Sequence, residues 1–315
     1  MISYYTLNDY LKSVYHTKVY KISLSTGCSC PNRDGRISYG GCCFCSDGGS
    51  GDFAENSKSI TEQIKAAKER VNCKFPKTID SENRKYIAYF QSFTNTYGEP
   101  ERLLHMFMEA ASDPAVVIIS IGTRPDCLQN EILDVIERVN KVKTVWIELG
   151  LQTSNDITAE KINRGYTLSV FEDSYYRLKK MKIYVVVHLI FGLPGESEKD
   201  MMNSVKYISN LIPHPDGVKL QLLHILKGTR LGDEYLEVLD KCGGDENKAE
   251  MMFPVLTLDE YCHLIFCALK ILPEDISVHR ITGDGPRKLL LAPHWSMNKK
   301  HVLNTIRNYR EDDKE

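Results

Sequence analysis

Short runs of β-branched and aromatic residues alternate along this chain with longer stretches whose apolar positions recur every three to four residues. The runs at 19–25, 86–91, 116–121, 142–149, 183–191 and 217–224 read as strands. Several are apolar on both faces, the pattern of buried parallel strands. The stretches at 59–71, 101–111, 129–140, 168–181 and 198–211 carry helical spacing, with Pro100 before one helix and Pro114 after it. Such alternation predicts an α/β chain with a parallel sheet and helices packed on it. A partial barrel and an open doubly wound sheet both accommodate the count.

The rhythm breaks in the last ninety or so residues. A helix is expected over 257–272, stopped by Pro273; residues 277–280 lead into the loop TGDGP at 282–286, and 298–309 ends the chain as a helix. No flexible linker intervenes. The expected division is an N-terminal segment at 1–18, a βα domain at 19–230 with a long loop at 26–53, and a C-terminal extension at 231–315.

Composition removes several classes. Over 315 residues, 42% are hydrophobic and 26% charged, which excludes collagen-like, disordered and coiled-coil chains. Forty Lys and Arg face 42 Asp and Glu, a net charge of −2, so any contact with nucleic acid must use local patches. No apolar run approaches the roughly 18 residues of a membrane helix, and the N-terminus lacks an apolar signal core. A cytoplasmic protein without membrane association is expected.

Ten cysteines change the question, because in a reducing compartment they are buried thiols, ligands or reactive groups rather than staples. Five fall together: Cys28, Cys30, Cys42, Cys43 and Cys45. They lie in the Gly-rich loop that follows the first strand, where βα folds gather their chemistry. Cys42 and Cys45 form a C-x-x-C pair that can share one metal centre, and Cys30 or Cys28 can supply a third thiolate. No second pair follows, so a four-ligand zinc site fits poorly. Three thiolates suit an iron–sulfur cluster with one iron left open. A redox pair and inert thiols are the alternatives, although the loop lacks the helix start that a thioredoxin-like motif needs.

The block from Cys30-Pro-Asn-Arg-Asp-Gly to Gly-Gly-Cys42-Cys43-Phe44-Cys45 resembles the cluster loop of radical S-adenosylmethionine (radical SAM) enzymes. Its C-x11-C-x-F-C spacing is similar to the branch near the Elongator catalytic subunit, the YhcC/YtqA-like bacterial proteins. The blocks YIAYFQSFTNTY, GTRPDC, WIELGLQT, INRGY, HLIFGLPGE, LLHILKGT and HRITGDGP follow in that branch's order over nearly the whole chain. The resemblance implies a partial (β/α)6 barrel of the TIM type. It implies a [4Fe–4S] cluster on Cys30, Cys42 and Cys45, with Cys28 and Cys43 outside the pattern. It also implies reductive cleavage of S-adenosylmethionine (SAM) to a 5′-deoxyadenosyl radical.

Under that resemblance Gln91, Glu148, Gln152, His188 and Gly192 are expected to hold SAM, His224 and Lys227 to meet SAM or substrate, and Arg124, Arg164 and Arg280, with Asp284, to face the substrate, the SAM carboxylate being the other partner open to Arg124. Each also has a plain structural reading, such as a salt-bridged strand-end Glu148, a backbone-bonded core Gln91 or a solvated strand end at His224. The implied substrate is the wobble uridine of tRNA, trimmed from its carboxymethylaminomethyl to its aminomethyl form. A reductant such as flavodoxin or ferredoxin and a downstream tRNA methyltransferase are the implied partners. Lys179, Lys180 and Lys182, and Lys299, Lys300, Arg307 and Arg310 with Trp295 and Tyr309, are the basic groups that RNA could use. The chain after the barrel is too short for an acetyl-CoA domain of ordinary size. Another RNA, a small metabolite, or a non-catalytic iron–sulfur role in electron transfer or redox sensing are the rival readings.

Overall fold

The structure is a computed structural model that describes residues 4–49, 59–283 and 285–309. Asp284, Arg310 and the stretch 50–53 of the long loop lie outside the described residues. In chain order the elements are α1 (Leu7–Tyr15), β1 (Val19–Leu24), α2 (Ile60–Asn72), β2 (Lys85–Phe90), α3 (Pro100–Ser112), β3 (Val116–Thr123), α4 (Asn130–Asn140), β4 (Val145–Gln152), α5 (Asp156–Lys161) and α6 (Leu168–Lys180). Then come β5 (Tyr184–Phe191), α7 (Glu198–Ser209), β6 (Gly217–Leu222), β7 (Ile225–Leu226), α8 (Arg230–Lys241), α9 (Glu246–Met252), α10 (Leu258–Ile271), β8 (Ser277–Arg280), β9 (Leu290–Ala292) and α11 (Lys299–Asn308).

Local chemistry explains many of the boundaries. Capping boxes start α1 at Thr6 and Asp9, α7 at Ser197 and Asp200, and α10 at Thr257 and Glu260. Pro100 occupies the first turn of α3 behind the capping carboxylate of Glu99. The sequence pattern starts β4 three residues early. Instead, Lys141 and Val142 close the end of α4 by donating to the carbonyls of Glu137 and Val139, and Asn140 Oδ1 accepts from Val145 N–H at 2.9 Å to begin the strand. The run expected at 217–224 splits, with β6 in the main sheet and β7 pairing antiparallel with β9.

The main sheet is parallel and ordered β1-β2-β3-β4-β5-β6-β8, each strand beside the next in the series. The six expected strands are therefore joined by a seventh, because β8 extends the sheet beyond β6. β1 and β8 do not pair, so the sheet curls without closing, and Val278 N–H at its far edge donates to Tyr5 O at 2.7 Å. This is the partial barrel that the sequence blocks imply.

The period of two along each strand sorts residues between the two faces. On β4, Val145, Ile147, Leu149 and Leu151 face the helices in the main hydrophobic cluster, whereas Trp146 belongs to a separate inner cluster with Leu11, Val19, Ile87 and Ile118. That inner cluster stops the barrel at the strands' N-terminal ends. Trp146 stacks on Tyr184 with ring centres 4.5 Å apart and meets Tyr10 of α1 edge-on at 5.7 Å. Such aromatic pairs contribute about 0.5–1.5 kcal/mol each beyond area burial. One layer higher the interior is charged, and above that it opens. The N-terminal helix, which the sequence pattern leaves unassigned, is thus the plug that leaves one accessible end.

Candidate active site

A cavity of about 190 Å³ occupies the barrel above the charged layer. Cys30, Cys42 and Cys45 line it on one side; Gln91, Gly122, Glu148, Gly150, Gln152 and His188 line it from the strands. No fourth cysteine is among its described lining residues.

The loop that carries the thiols is held by specific bonds. Cys45 N–H donates to Cys42 O at 3.0 Å, forming the turn of the C-x-x-C pair. Arg33 donates to the carbonyls of Cys45, at 2.7 Å, and Ser46. Asn32, fully buried, donates to the carbonyl of Asn163. Asn163, at φ 56°, donates from its side chain to Ser38 Oγ at 3.1 Å and Gly41 O at 2.8 Å. Cys43 N–H donates to Ile162 O at 3.0 Å. The neighbouring Gly165 has φ +82°, and a Cβ there would come within 2.6 Å of Asn32 Oδ1. The INRGY segment therefore works as the latch of the cysteine loop.

The thiols of the C-x-x-C pair titrate apart: its bond to Cys42, burial and the Cys42 charge hold the Cys45 thiol well above the usual range. The Cys45 thiol donates to Cys42, and Arg124 and Arg164 add their charge, so Cys42 is pulled down to about 7 despite burial. A thiol that ionises this readily is prepared to ligate. Cys43 is different: burial pushes its thiol up to about 11, and it packs among Ile162, Leu193 and Leu223. Cys28 is buried and accepts from Arg102 Nη2 at 3.0 Å. Neither Cys28 nor Cys43 lines the cavity.

The floor of the cavity is a buried ionic network centred on Glu148. Its Oε1 accepts from Lys21 Nζ at 2.6 Å and Ser120 Oγ at 2.9 Å; its Oε2 accepts from Lys219 and pairs with His188 Nε2 at 3.0 Å. Burial opposes the charge on Glu148, but Lys21, Lys219 and His188 together hold its carboxyl well below the usual range. Burial pulls Lys219 well down and, with the repulsion of Lys219, brings His188 to about 4. At neutral pH His188 is uncharged and donates to Glu148 through Nε2–H. Lys219 also donates to the buried Tyr89 hydroxyl at 3.2 Å. Both oxygens of Glu148 are thus engaged within the protein.

The remaining candidates separate by position. Arg124 grips Asp126 bidentately at 2.9 and 2.7 Å, and Arg164 donates to Leu151 O, Thr153 O, Tyr166 O and Asp156 at 2.7–3.0 Å. Both guanidinium groups lie on the ring of Tyr166, at 4.8 and 4.6 Å from its centre. Tyr166 in turn reaches Gly150 O and Gln152 Oε1, each at 2.9 Å. Arg280 and His224 line a second cavity of about 190 Å³, which shares Phe44, Cys45, Gly49, Ile190 and Gln221 with the first. Gly283 and Gly285 press on His224 so closely that a Cβ at either would stand 2.3 or 2.8 Å from its ring. Gly192, at φ +88°, packs against Leu256, and Lys227 is exposed. Neither lines either cavity.

Sequence reasoning passed over Lys21, Tyr89, Ser120 and Lys219, and left Arg33, Asn32, Asn163 and Tyr166 without roles. A signal existed for two of them: a lysine in the middle of the apolar strands VYKISL and GVKLQL needs a buried partner.

Residues 30–208 match the radical SAM superfamily, and residues 215–312 match the Radical_SAM C-terminal domain. The chain belongs to the radical SAM superfamily. It is 40% identical over 310 residues to YtqA of Bacillus subtilis, covering 98% of this chain and 90% of that protein. It is 34% identical over 286 residues to YhcC of Escherichia coli, covering 90% and 85%. The structure of Methanocaldococcus infernus Elp3 with an N-terminal deletion superposes with a TM-score of 0.63 at 18% identity, over 92% of this chain and 63% of that one. That superposition establishes a shared fold.

The family's cofactors are a [4Fe–4S] cluster and SAM. The donor set fits them: three thiols on one wall, cationic surroundings, and a cavity whose other walls offer Gln91, Gln152 and backbone around Gly122 and Gly150. No helix among the described residues is long and apolar enough to cross a membrane.

Proposed function

We propose that this radical SAM enzyme acts on the wobble uridine of tRNA and converts its carboxymethylaminomethyl side chain to aminomethyl. The observation that carries the reading is the pair of adjoining chambers. One is lined by the three cysteines, and the other holds Arg280 and His224 beyond a shared wall of Phe44, Ile190 and Gln221. A substrate whose reacting carbon neighbours a carboxylate suits this arrangement, because an arginine can fix a carboxylate bidentately.

In the proposed roles, Cys30, Cys42 and Cys45 hold the cluster, and Gln91, Gln152 and the strand-end backbone orient SAM. The cluster and SAM together supply the radical that removes a hydrogen atom. Arg280 and His224 hold the carboxylate so that the carbon between it and the amine faces the first chamber. Transfer of that hydrogen atom to the 5′-deoxyadenosyl radical, of one further electron to the oxidised form of the one-electron carrier, and of a proton to water would give an imine, which water would hydrolyse to the amine and glyoxylate. Arg124 and Arg164 keep Tyr166 and the thiol wall in place, since their donors are spent on Asp126, Asp156 and backbone carbonyls. The ordered sequence blocks of the Elongator-like branch support an RNA substrate. So does Tyr39 on the cysteine loop, 80% exposed and available to stack a base. The reading calls for a one-electron reductant such as flavodoxin or ferredoxin, and for a tRNA methyltransferase that uses the amine.

Nucleoside mass spectrometry of tRNA from a deletion strain tests it. The carboxymethylaminomethyl form should accumulate and the aminomethyl form disappear. An unchanged nucleoside profile would overturn the assignment.

A further inference from the structure

Away from both chambers, α7 and α10 bring three different ligating side chains together. His263 and Cys267 stand one turn apart on α10 and so share a face. Glu198 opens α7 against them. Glu198 Oε1 lies 3.1 Å and Cys267 Sγ 3.6 Å from His263 Nε2, and the three ligand atoms all fall within 4.8 Å of one another.

These distances can be compared with the edges of a metal polyhedron. With Zn–N and Zn–O bonds near 2.0 Å and Zn–S near 2.3 Å, a tetrahedral ion keeps N and O about 3.3 Å apart and N and S about 3.5 Å apart. The observed edges lie within about 0.2 Å of those values. A second observation concerns the other imidazole nitrogen. His263 Nδ1 lies 3.1 Å from the hydroxyl of Tyr309, a buried residue just after α11. A proton held there leaves the Nε2 lone pair to face Glu198, and ligating histidines are oriented by outer partners of this kind. Cys267 Sγ lies beside the ring, 3.6 Å from Nε2 and 4.0 Å from Nδ1, and turns toward the ion in order to ligate. One thiolate, one imidazole and one carboxylate form a borderline-soft donor set, suited to zinc rather than calcium or magnesium. Glu198 is exposed, so water can complete the shell.

We propose that Glu198, His263 and Cys267 bind one zinc-class divalent cation. The ion ties barrel helix α7 to α10 and, through Tyr309, to the end of α11. The alternative is a plain His263–Glu198 ion pair with a thiol beside it.

Full-length protein carrying its cluster, freed of loose metal by chelator, is titrated anaerobically with Zn²⁺ against a chromophoric competitor while iron content is followed. One equivalent should bind with iron unchanged, and the melting temperature should rise. Cys267→Ser and Glu198→Gln should each weaken binding at least tenfold and abolish the rise, with the iron content of the wild type. Should Cys267→Ser misfold, Glu198→Gln, a change at an exposed side chain, carries the test alone. Absence of zinc binding, binding that both variants retain, or zinc uptake matched by iron loss would each overturn the proposal.

Discussion

The side-chain amide of Asn32 donates to the backbone carbonyl of Asn163, 131 residues further along the chain, and so fixes the cysteine loop to the segment after β4. The bond joins two motifs that the sequence presents separately. It makes the geometry of Cys42 dependent on INRGY, because Asn32 also approaches Cys42 Sγ at 3.8 Å.

Asn163→Ala should therefore loosen the loop. It removes two side-chain hydrogen bonds and places a Cβ residue without an amide at φ 56°. A loss of about 1–3 kcal/mol and a lower iron content after reconstitution are expected. Asn163→Gly relieves the backbone but not the lost bonds, so it should recover only part. Iron per protein and urea midpoints measure both, and wild-type values in the alanine variant would remove the latch from the account.

The cysteines divide three against two. Cys30→Ala, Cys42→Ala and Cys45→Ala should each abolish the brown absorbance of anaerobically reconstituted protein. Cys28→Ala and Cys43→Ala should largely keep it, because those thiols point to Arg102 and to an apolar cluster. Loss of the chromophore in either of the last two would mean that the ligand set has been misassigned.

Glu148 neutralises two lysines inside the barrel. Glu148→Gln leaves Lys21 and Lys219 facing each other without a counter-charge, at a cost of about 3–5 kcal/mol. Lys219→Met should cost less, since Glu148 keeps Lys21, Ser120 and His188. Chemical denaturation of the two variants checks the ranking, and a reversed order would show that Lys219 rather than Glu148 organises the layer.

Arg280→Met should keep the cluster and the reductive cleavage of SAM to 5′-deoxyadenosine, yet raise KM for the carboxylated nucleoside strongly. Product assays with and without tRNA separate the two readouts. If SAM cleavage disappears as well, Arg280 belongs to the cofactor side.

Burial pushes the Glu196 carboxyl up to about 7 from 4.5, only partly opposed by the Thr153 hydroxyl that donates to it. The folded state binds this proton more tightly than the unfolded chain does. Its contribution is complete below the unfolded value of 4.5 and is lost as pH rises through about 7. Glu196→Gln should consequently be more stable than wild type at pH 8, by about 1–2 kcal/mol after allowance for solvent screening. The gap should close towards pH 5. Melting temperatures at the two values decide it, and a gap independent of pH would contradict the shift.

Much of the fold could be read from the chain because the alternation of strand and helix patterns is written in near neighbours. Short β-branched and aromatic runs, several apolar on both faces, marked six of the seven strands of the main sheet, and the C-x-x-C spacing marked Cys42 and Cys45 as a metal pair, with Cys30 chosen over Cys28 by the family resemblance. The seventh strand, Ser277–Arg280, is four residues long, too short for periodicity to declare, and exists because β6 offers it an edge. The charged floor was harder still. Glu148 meets Lys219 and Lys21 across 71 and 127 residues, and neither distance has a local signature. Sequence alone determined which residues could ligate and which segments could be strands, since those depend on side-chain type and near neighbours. Curling of the sheet decided which polar side chains meet inside it: that Arg124 and Arg164 brace Tyr166, and that Arg280 lines a separate chamber. Burial and long-range contact, which no short window of sequence contains, set those roles.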